Sequence, residues 1–440
     1  MKQILNYIDK SFNVPPRDLK MIIREFHSQM HKGLSGKTSS LKMLPAYVDR
    51  PSGREKGRFI ALDLGGTNLR VLELELKGKG QIRLIAERKF VLQKTHISTN
   101  AESLFDFIAG SVKNFIRAQK IGDDKKIALG FTFSFPMKQT GVASGKLIHW
   151  TKGFSAKGVV GKDIVKLLKY SLLKKGLVNI RVAALTNDTV GTLVARAYKD
   201  QACDIGVILG TGTNACYRER VAQIRKFKDK RAHATHMLVN IEWGGFNKLE
   251  RLPYDLELDA LSTNPGEQVL EKMVSGMYLG EIARIILKDL IKRKILFAAG
   301  GCFSFNAKDN FKTEYMSEIE GDRSKGLRGV ARALKRLGVS RATLEDKILV
   351  RKICKVVSMR AARVSAGSLA AVVTKMDPHL LRKHTVAIDG TVYEKYPGFA
   401  RNIRVALREL FGRKNSRIRI TLTKDGSGRG AAIIAAVATK

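Results

Sequence analysis

Two short glycine-rich segments hold the residues best suited to chemistry in this chain of 440 residues. The first is LDLGGTNLR at 62–70, and the second is ILGTGTNACY at 208–217. Each is an apolar, strand-like run that ends in glycines followed by Thr-Asn. Glycine lacks a Cβ, so its backbone turns tightly and its N–H group can approach a phosphate closely. The pair predicts two related halves, each of which presents a polar turn to one shared site.

The two turns differ in charge. Asp63 adds a carboxylate suited to Mg²⁺ or to its water shell, whereas the second turn, at 210–213, has no carboxylate. The difference predicts metal on one side of the site and phosphate on the other. Either segment alone also fits an ordinary β-hairpin turn. Neither is a Walker A loop, because no lysine and hydroxyl residue follow in the required register.

A third glycine-rich segment lies close to the end of the sequence. Gly426, Ser427, Gly428 and Gly430 directly precede or enter the Ala-rich run AAIIAAVATK. A helix N-terminus preceded by glycines is a ready anion site. An ordinary turn before a buried helix has the same composition, so both interpretations stay open.

The segment Asn187-Asp188-Thr189 is a candidate for both structure and chemistry. All three residue types favour the N-cap of a helix, and the helical run VGTLVARAY follows. Asp188 also carries a carboxylate that is ionised near neutral pH and can accept a proton from a hydroxyl. The residues alone favour the cap, and the two roles are compatible.

The surrounding pattern is that of an α/β protein. Strand-like runs such as RFIALDLGG, VLELELKG and KIALGFTFSF alternate with the helical run SLFDFIAGSVKNFIRAQ. After residue 200 the pattern begins again with DIGVILGTGTN and MLVNIEWGGF. At the N-terminal end, Pro15 and Pro16 mark the start of an amphipathic helix. A domain boundary is predicted near residue 56.

Charge is the feature that points to another class of protein. Lys and Arg number 80 against 40 Asp and Glu, a formal charge of +40. Such basicity is common among nucleic-acid binders. The basic residues are spread over polar helix faces, and the densest runs, RKFKDKR and RKNSRIRI, lack interleaved aromatics. No specific nucleic-acid function is predicted, while non-specific binding to polyanions or anionic membranes remains an expectation at low salt.

Other compositional features favour a cytoplasmic protein. No apolar stretch is expected to reach the roughly 18 residues of a membrane span, and the start MKQILNYIDKSF lacks the apolar core of a signal peptide. Cys203, Cys216, Cys302 and Cys354 show no spacing typical of zinc sites or disulfides. They are predicted to be free thiols in a reducing compartment.

With these pieces in view, the chain resembles the hexokinase family over nearly its whole length. Besides the glycine turns it carries LKMLPAYV, LGFTFSFP, LIHWTKGF, LTNDTVGTLVA, VNIEWGGF, NPGEQVLEKMVSGMYLGEI, IDGTVYEKYPGF and DGSGRGAAIIAAVA in the family's order. The resemblance implies the actin-like (ribonuclease H-like) α/β fold, with two domains facing across a central cleft. The small domain would comprise 56–187 completed by 427–440, and the large domain 1–55 and 188–426.

The resemblance also implies the reaction, which is ATP-dependent phosphorylation of glucose, or of mannose or fructose, at the 6-hydroxyl as the first step of glycolysis. Asp188 would be the catalytic base, and Lys152 would meet the transferred phosphoryl group. Glu267 would lie close to the sugar. The residues implied around the sugar are Ser134, Thr151, Lys152, Asn187, Asp188, Asn214, Glu242 and Glu271. Each of these residues, considered alone, also fits an ordinary role at the surface or in a helix cap.

ATP and Mg²⁺ are the implied cofactors, with Mg²⁺ held mainly through ATP and no dedicated protein metal site. The first turn would serve the metal and phosphates, the second turn the other phosphates, and the remaining positions the adenosine part. In that order the implied residues are Asp63, Gly65, Gly66, Thr67, Asn68 and Arg70; Thr211 and Gly212; and Asp389, Gly390, Thr391, Ser427 and Gly428.

Two departures from the family pattern stand out: the charge, and Met137, where many members have a cysteine. A thioether fills similar space but forms no thiolate. Two alternatives stay open. One is a catalytically weak sugar sensor or regulator on the same fold, and the other is a polyanion-binding protein. The expected state is a monomer or a homodimer.

Overall fold

The computed structural model describes residues 2–122, 126–151, 153–228, 234–298, 305–308 and 310–439. The strands in these residues are β1 (Leu44–Pro45), β2 (Lys56–Leu64), β3 (Asn68–Gly78), β4 (Gln81–Val91), β5 (Ile127–Phe133), β6 (Met137–Gly141), β7 (Ser144–Leu147), β8 (Ile180–Thr186), β9 (Cys203–Leu209), β10 (Thr213–Arg220), β11 (His236–Asn240), β12 (His384–Asp389) and β13 (Ile418–Leu422).

The helices in the same residues are α1 (Lys2–Ser11), α2 (Pro16–Leu34), α3 (Lys94–Ile97), α4 (Ala101–Ala118), α5 (Ile164–Lys174), α6 (Asp188–Ala197), α7 (Pro253–Leu261), α8 (Val269–Val274), α9 (Gly276–Lys292), α10 (Thr313–Gly321), α11 (Arg328–Arg336), α12 (Leu344–Met376), α13 (Thr391–Lys395), α14 (Phe399–Phe411) and α15 (Gly426–Ala438). Short 3₁₀ turns cover Val221–Gln223, Trp243–Gly245 and Gly412–Arg417. Helix α2 begins at Pro16, as the sequence predicts.

Two mixed sheets repeat one strand arrangement. In the five-stranded sheet β4, β3 and β2 are antiparallel, and β2, β5 and β8 then run parallel. In the six-stranded sheet β11, β10 and β9 are antiparallel, β9, β12 and β13 run parallel, and β1 joins at the edge of β11. The parallel strands other than the edge strand β13 are largely buried, because helices cover them. The paired glycine turns therefore occupy equivalent places, after β2 and after β9.

Helices α6 and α15 join the two sheets. Helix α6 packs on β9, and α15 packs on β2, β5 and β8. The two helices cross at Gly191 and Gly430, where a Cβ on Gly430 would overlap the Gly191 carbonyl oxygen. Only glycine permits this approach of two helix backbones. Both helices reach the site through their first turns.

Helix α12 corrects one expectation from the sequence. Its 33 residues include an 18-residue window with mean hydropathy 1.3, so by length and composition it could cross a membrane. In the fold 89% of that window is buried, against α2, α9, α10 and α14. The expectation that no apolar stretch reaches this length is wrong, and packing among other helices accounts for the apolar composition.

The cysteines within the described residues are free. Cys203, Cys216 and Cys354 are buried, and burial raises the pKa of each thiol above its ordinary value. A raised pKa keeps a thiol protonated and unreactive near neutral pH. Cys302 lies outside the described residues.

Candidate functional site

The predicted site residues follow the carboxyl ends of parallel strands. In the five-stranded sheet, Gly65, Ser134 and Asn187 come directly after β2, β5 and β8. In the six-stranded sheet, Gly210 and Gly390 come directly after β9 and β12. Carboxyl ends of parallel strands meet at one edge of a sheet, which is where ligands bind in such folds.

The first glycine turn is a β-hairpin turn and also carries candidate chemistry. Leu64 pairs with Leu69 across the turn, and the Gly65 N–H donates to the Asn68 carbonyl at 3.0 Å. The plainer interpretation of this turn is therefore correct, and it does not exclude a functional one. Thr67 lies exposed at the tip.

Asp63, at the end of β2, is buried in an ionic cluster with the start of α15. Its Oδ2 accepts from Ser427 Oγ at 2.7 Å and from Arg70 Nε at 3.2 Å. Arg70 also pairs with Asp425 and donates to Ser427 Oγ at 3.3 Å. Burial alone would lower the pKa of Arg70, but the Asp63 and Asp425 carboxylates raise it above its ordinary value. The structure thus groups Ser427 with the metal and phosphate candidates.

The start of α6 combines cap and candidate base. Asn187 is the N-cap, and its Oδ1 accepts from the Thr189 N–H at 3.0 Å and from Thr189 Oγ1 at 2.8 Å. Asp188 Oδ1 also accepts from the Thr189 N–H, at 2.8 Å. Asp188 is partly exposed, whereas its neighbours Asn187 and Thr189 are buried. A carboxylate in the first turn is favoured by the helix dipole.

A network of amides and a carboxylate connects β10 with the end of β11. Asn214 Nδ2 donates to Asn240 Oδ1 at 2.9 Å and to Glu242 Oε1 at 3.2 Å. Asn240 Nδ2 donates to the same Glu242 oxygen at 2.8 Å, and Thr189 Oγ1 lies 3.5 Å from Asn240 Oδ1. This network therefore reaches the start of α6 and brings Asn187, Asn214 and Glu242 into one region.

Asn240 is a site residue that the sequence analysis missed. It is buried and holds the Asn214 and Glu242 side chains in one arrangement. Its position two residues before Glu242 in VNIEWGGF was the available signal. Glu242 itself has φ 55° and ψ 51°, a left-handed conformation that is uncommon for a residue with a side chain.

Glu271, on α8, lies against the second glycine turn. Its Oε2 accepts from the Thr213 N–H at 2.9 Å, and a Cβ on Gly212 would be 2.7 Å from that oxygen. Thr213 Oγ1 in turn accepts from the indole of Trp243 at 2.8 Å. Glu271 is thus placed beside the amide network by backbone contacts, while Glu267 is exposed.

Thr151 and Ser134 belong to loops that aromatic rings hold together. The rings of Phe135 and Trp150 lie edge to face at 4.9 Å, and Trp150 stacks on Phe154 at 5.1 Å. These contacts attach the loop after β7 to the segment that follows β5. Lys152, the candidate for contact with the phosphoryl group, lies outside the described residues.

The second glycine turn is packed against two other backbones. Its Gly210 carbonyl accepts from the Gly276 N–H at 2.8 Å, and the Thr211 carbonyl accepts from the Met277 N–H at 3.1 Å. Gly390 has φ 123°, and a Cβ there would overlap the Leu209 carbonyl oxygen. The turn, the start of α9 and the end of β12 therefore meet at glycines.

A cavity of about 650 Å³ opens beside this turn. The predicted nucleotide residues Thr211 and Thr391 line it, together with Met277, Thr313 and Tyr396. Its size and mixed polar and apolar walls suit a nucleoside. Met277 and Thr313 were missed by the sequence analysis, although SGMYLGEI was recognised as a motif.

Two further predicted positions lie at this edge. Asp389 Oδ1 accepts from the Gly390 N–H at 2.7 Å, and burial raises the pKa of Asp389 above its ordinary value. Gly428 is buried against Leu72. Within the described residues, no group of three or more His, Cys, Asp or Glu side chains could hold a metal ion.

Comparison with known proteins gives a consistent result. Residues 4–198 and 204–437 match two family models, both described as Hexokinase. Hexokinase-2 of rice (Oryza sativa subsp. japonica) is 42% identical over 450 aligned positions, which cover 98% of this chain and 90% of the rice protein. Hexokinase-2 of horse (Equus caballus) is 39% identical over 95% of this chain, which spans only 46% of the horse protein.

Solved structures agree with the sequence matches. A hexokinase from Schistosoma mansoni complexed with glucose superimposes with a TM-score of 0.90 at 36% identity, covering 99% of this chain and 98% of that one. A second hexokinase crystal structure gives a TM-score of 0.83 at 32% identity, with 99% of both chains covered. This chain therefore belongs to the hexokinase family, phosphotransferases built on the actin-like sugar kinase fold.

Proposed function

We propose that this protein transfers the γ-phosphoryl group of ATP to the 6-hydroxyl of glucose, or of a related hexose such as mannose or fructose. The observation that carries the proposal is the hydrogen-bonded network of Asn214, Asn240 and Glu242, which lies beside the start of α6. A hexose presents a ring of neutral hydroxyls, which require amide and carboxylate partners such as these.

In this proposal Asp188 orients the sugar hydroxyl and accepts its proton. It lies in the first turn of α6, and its partial exposure leaves it accessible to a ligand. Phosphoryl transfer has a loose transition state, so the proton moves late and positioning contributes most of the rate. The other hydroxyls of the sugar would be bound, and the sugar thereby positioned, by Glu242, Asn214, Glu271, Ser134 and Thr151.

The nucleotide would lie along the carboxyl edge of the six-stranded sheet. The cavity beside Thr211 and Thr391 would take the nucleoside, and the N–H groups of both glycine turns would face the phosphates. Bound Mg²⁺ would neutralise phosphate charge during transfer. Of the two Asp63 oxygens, Oδ2 takes all the hydrogen bonds made within the described residues, so Oδ1 suits a metal-bound water.

Domain closure is part of the proposal. The small domain, 56–187 with 427–440, and the large domain, 1–55 with 188–426, would close over the hexose. The close crossing of α6 and α15 at Gly191 and Gly430 supports a pivot there, because both helices begin at the site. Closure excludes water, which competes with the sugar as phosphoryl acceptor.

The decisive test compares Asp188→Ala and Asp188→Asn with the native protein. We expect kcat on glucose and Mg-ATP to fall about 10²–10⁴-fold in both variants, because the proton acceptor is lost. The Kd for glucose, measured by calorimetry, should change less than about tenfold, since the amide network remains. The control is Asp163→Asn, which changes an N-cap aspartate on α5.

The results of this test show whether Asp188 is the base and distinguish a sugar kinase from a sugar sensor. Native-like turnover in Asp188→Asn would exclude Asp188 as the base. A native protein that binds glucose but phosphorylates neither glucose, mannose nor fructose would instead be a sugar sensor.

A further inference from the structure

A second polar cavity, of about 330 Å³, lies at the opposite edge of the six-stranded sheet. It is formed by the amino end of β9, the β10–β11 pair at Arg220 and His236, and the end of α12. Asp204 in its wall is six residues before Gly210, which is about 20 Å along an extended strand. The cavity is therefore separate from the glycine turns.

Five cationic side chains converge on this cavity: Arg50, Arg218, Arg220, Lys375 and Arg382. Within the described residues, two of them form close ion pairs. Arg218 forms a bidentate pair with Asp49, with two N–O distances of 2.7 Å, and Lys375 lies 3.1 Å from Glu219.

The remaining acid in the wall, Asp204, is paired with a histidine through one oxygen, and its other oxygen, Oδ1, is buried without a hydrogen-bond partner in the described residues. Its Oδ2 lies 2.7 Å from His384 Nδ1, and His384 is fully buried. Arg382 lies 4.0 Å from Asp377, a carboxylate that also contacts His384. Across the described part of the chain, neither Arg50 nor Arg220 has a carboxylate within 4.0 Å. The cavity therefore holds surplus positive charge.

The electrostatics of neighbouring groups agree with this surplus. Burial lowers the pKa of Arg50, and the Arg218 guanidinium lowers it further, although the Asp49 and Asp204 carboxylates oppose this shift. Burial and Arg218 also lower the pKa of His236. In addition, Arg50 Nε is buried without a hydrogen-bond partner in the described residues. A cleft with an excess of charges of one sign concentrates counter-ions of the other sign.

We infer that this cavity is a binding site for a small molecule with two or more phosphate groups, held by Arg50, Arg220 and Arg382. Guanidinium groups bind phosphate oxygens in pairs, and these three come from separate segments, so together they suit a ligand with more than one phosphate. The concave shape favours a small ligand over an extended polyanion. Arg50 lies in the connection between β1 and β2, so the ligand would also contact the chain that joins the two sheets.

Calorimetry with inorganic pyrophosphate tests this inference. Titration at low salt, with saturating glucose and a non-hydrolysable ATP analogue, keeps the probe away from the glycine turns. We expect binding to weaken at least tenfold in Arg220→Gln and in Arg50→Gln. Arg220 is exposed, so its substitution should not disturb the fold. The matched control is Arg401→Gln, an exposed arginine on α14 that has the same charge change.

Three results would overturn the inference: no pyrophosphate binding at millimolar concentration, an equal loss in Arg401→Gln, or unchanged affinity in Arg220→Gln and Arg50→Gln. The comparison among variants does not depend on the proposed reaction. A catalytically inactive protein could still show the arginine-dependent binding.

Discussion

The two glycine turns have nearly the same sequence and equivalent places in their sheets, yet different forces hold them. Around the first, Asp63, Arg70 and Asp425 form ion pairs, and Ser427 joins them by hydrogen bonds. Around the second, Gly210, Gly276 and Gly390 bring three backbones together. A short motif therefore specifies where the turn occurs in the sheet. The elements packed against the turn determine whether ion pairs or close backbone packing stabilise it.

The largest expected effect tests the packing of the second turn. Gly390→Ala should lower the free energy of unfolding by about 3–5 kcal/mol, because the new Cβ overlaps the Leu209 carbonyl and the φ of 123° is strained for alanine. At the first turn, a Cβ on Gly65 would meet, among the described residues, only the Asn68 carbonyl, at 3.7 Å. Gly65→Ala should therefore change stability by no more than about 0.5 kcal/mol. Urea unfolding of both variants measures the difference, and equal losses would contradict it.

A smaller effect tests the charges of the first turn. Arg70→Ala should lower the free energy of unfolding by about 2 kcal/mol, because Asp63 stays buried after losing its cationic partner. The side chain of Arg70 is 20% exposed, so the loss is smaller than for a fully buried pair. The control is Lys89→Ala. Lys89 is an exposed lysine on β4 that lies opposite Arg70 of β3 in the sheet. If Lys89→Ala lost as much stability as Arg70→Ala, the ion pair between Arg70 and Asp63 would not be the cause of the loss.

The smallest effect concerns the carboxylate next to the second turn. Burial raises the pKa of Asp389 above its ordinary 3.8, so ionisation of Asp389 costs the folded state stability. The cost is absent below pH 3.8, grows as pH rises through the folded pKa, and is constant above it. Asp389→Asn should therefore raise the melting temperature slightly at pH 7 and less at pH 4. A uniform shift at both pH values would show that ionisation is not the cause.

Several parts of the fold and site could be predicted from local sequence. The glycine turns after apolar strands, the start of α2 at Pro16 and the cap at Asn187 each depend on residues adjacent in the chain. Such features follow from backbone geometry and side-chain chemistry within a few residues. The roles of the site residues in catalysis remain predictions for the variants above to test.

Other parts depended on contacts between distant residues. Ser427 reaches Asp63 across 364 positions, and Asn240 links Asn214 to Glu242 from another strand. The position of Asn240 in the motif VNIEWGGF is a local signal, but the local pattern does not show that Ser427 contacts Asp63 or that Asn240 contacts Asn214. Helix α12 is a second case in which local sequence is not enough. Its composition fits a membrane span, and its burial among α2, α9, α10 and α14 accounts for that apolar composition.

The amino-acid sequence alone was enough to identify the family, the α/β class and the turns that carry the candidate chemistry, because these depend on residue type and order. Tertiary structure alone decided which forces hold each turn, which amides support Glu242, and where several arginines of the described residues converge on one cavity. The physical reason is that charge pairing, burial and backbone approach depend on distance in space, and chain order does not specify that distance until the sheets and helices have packed.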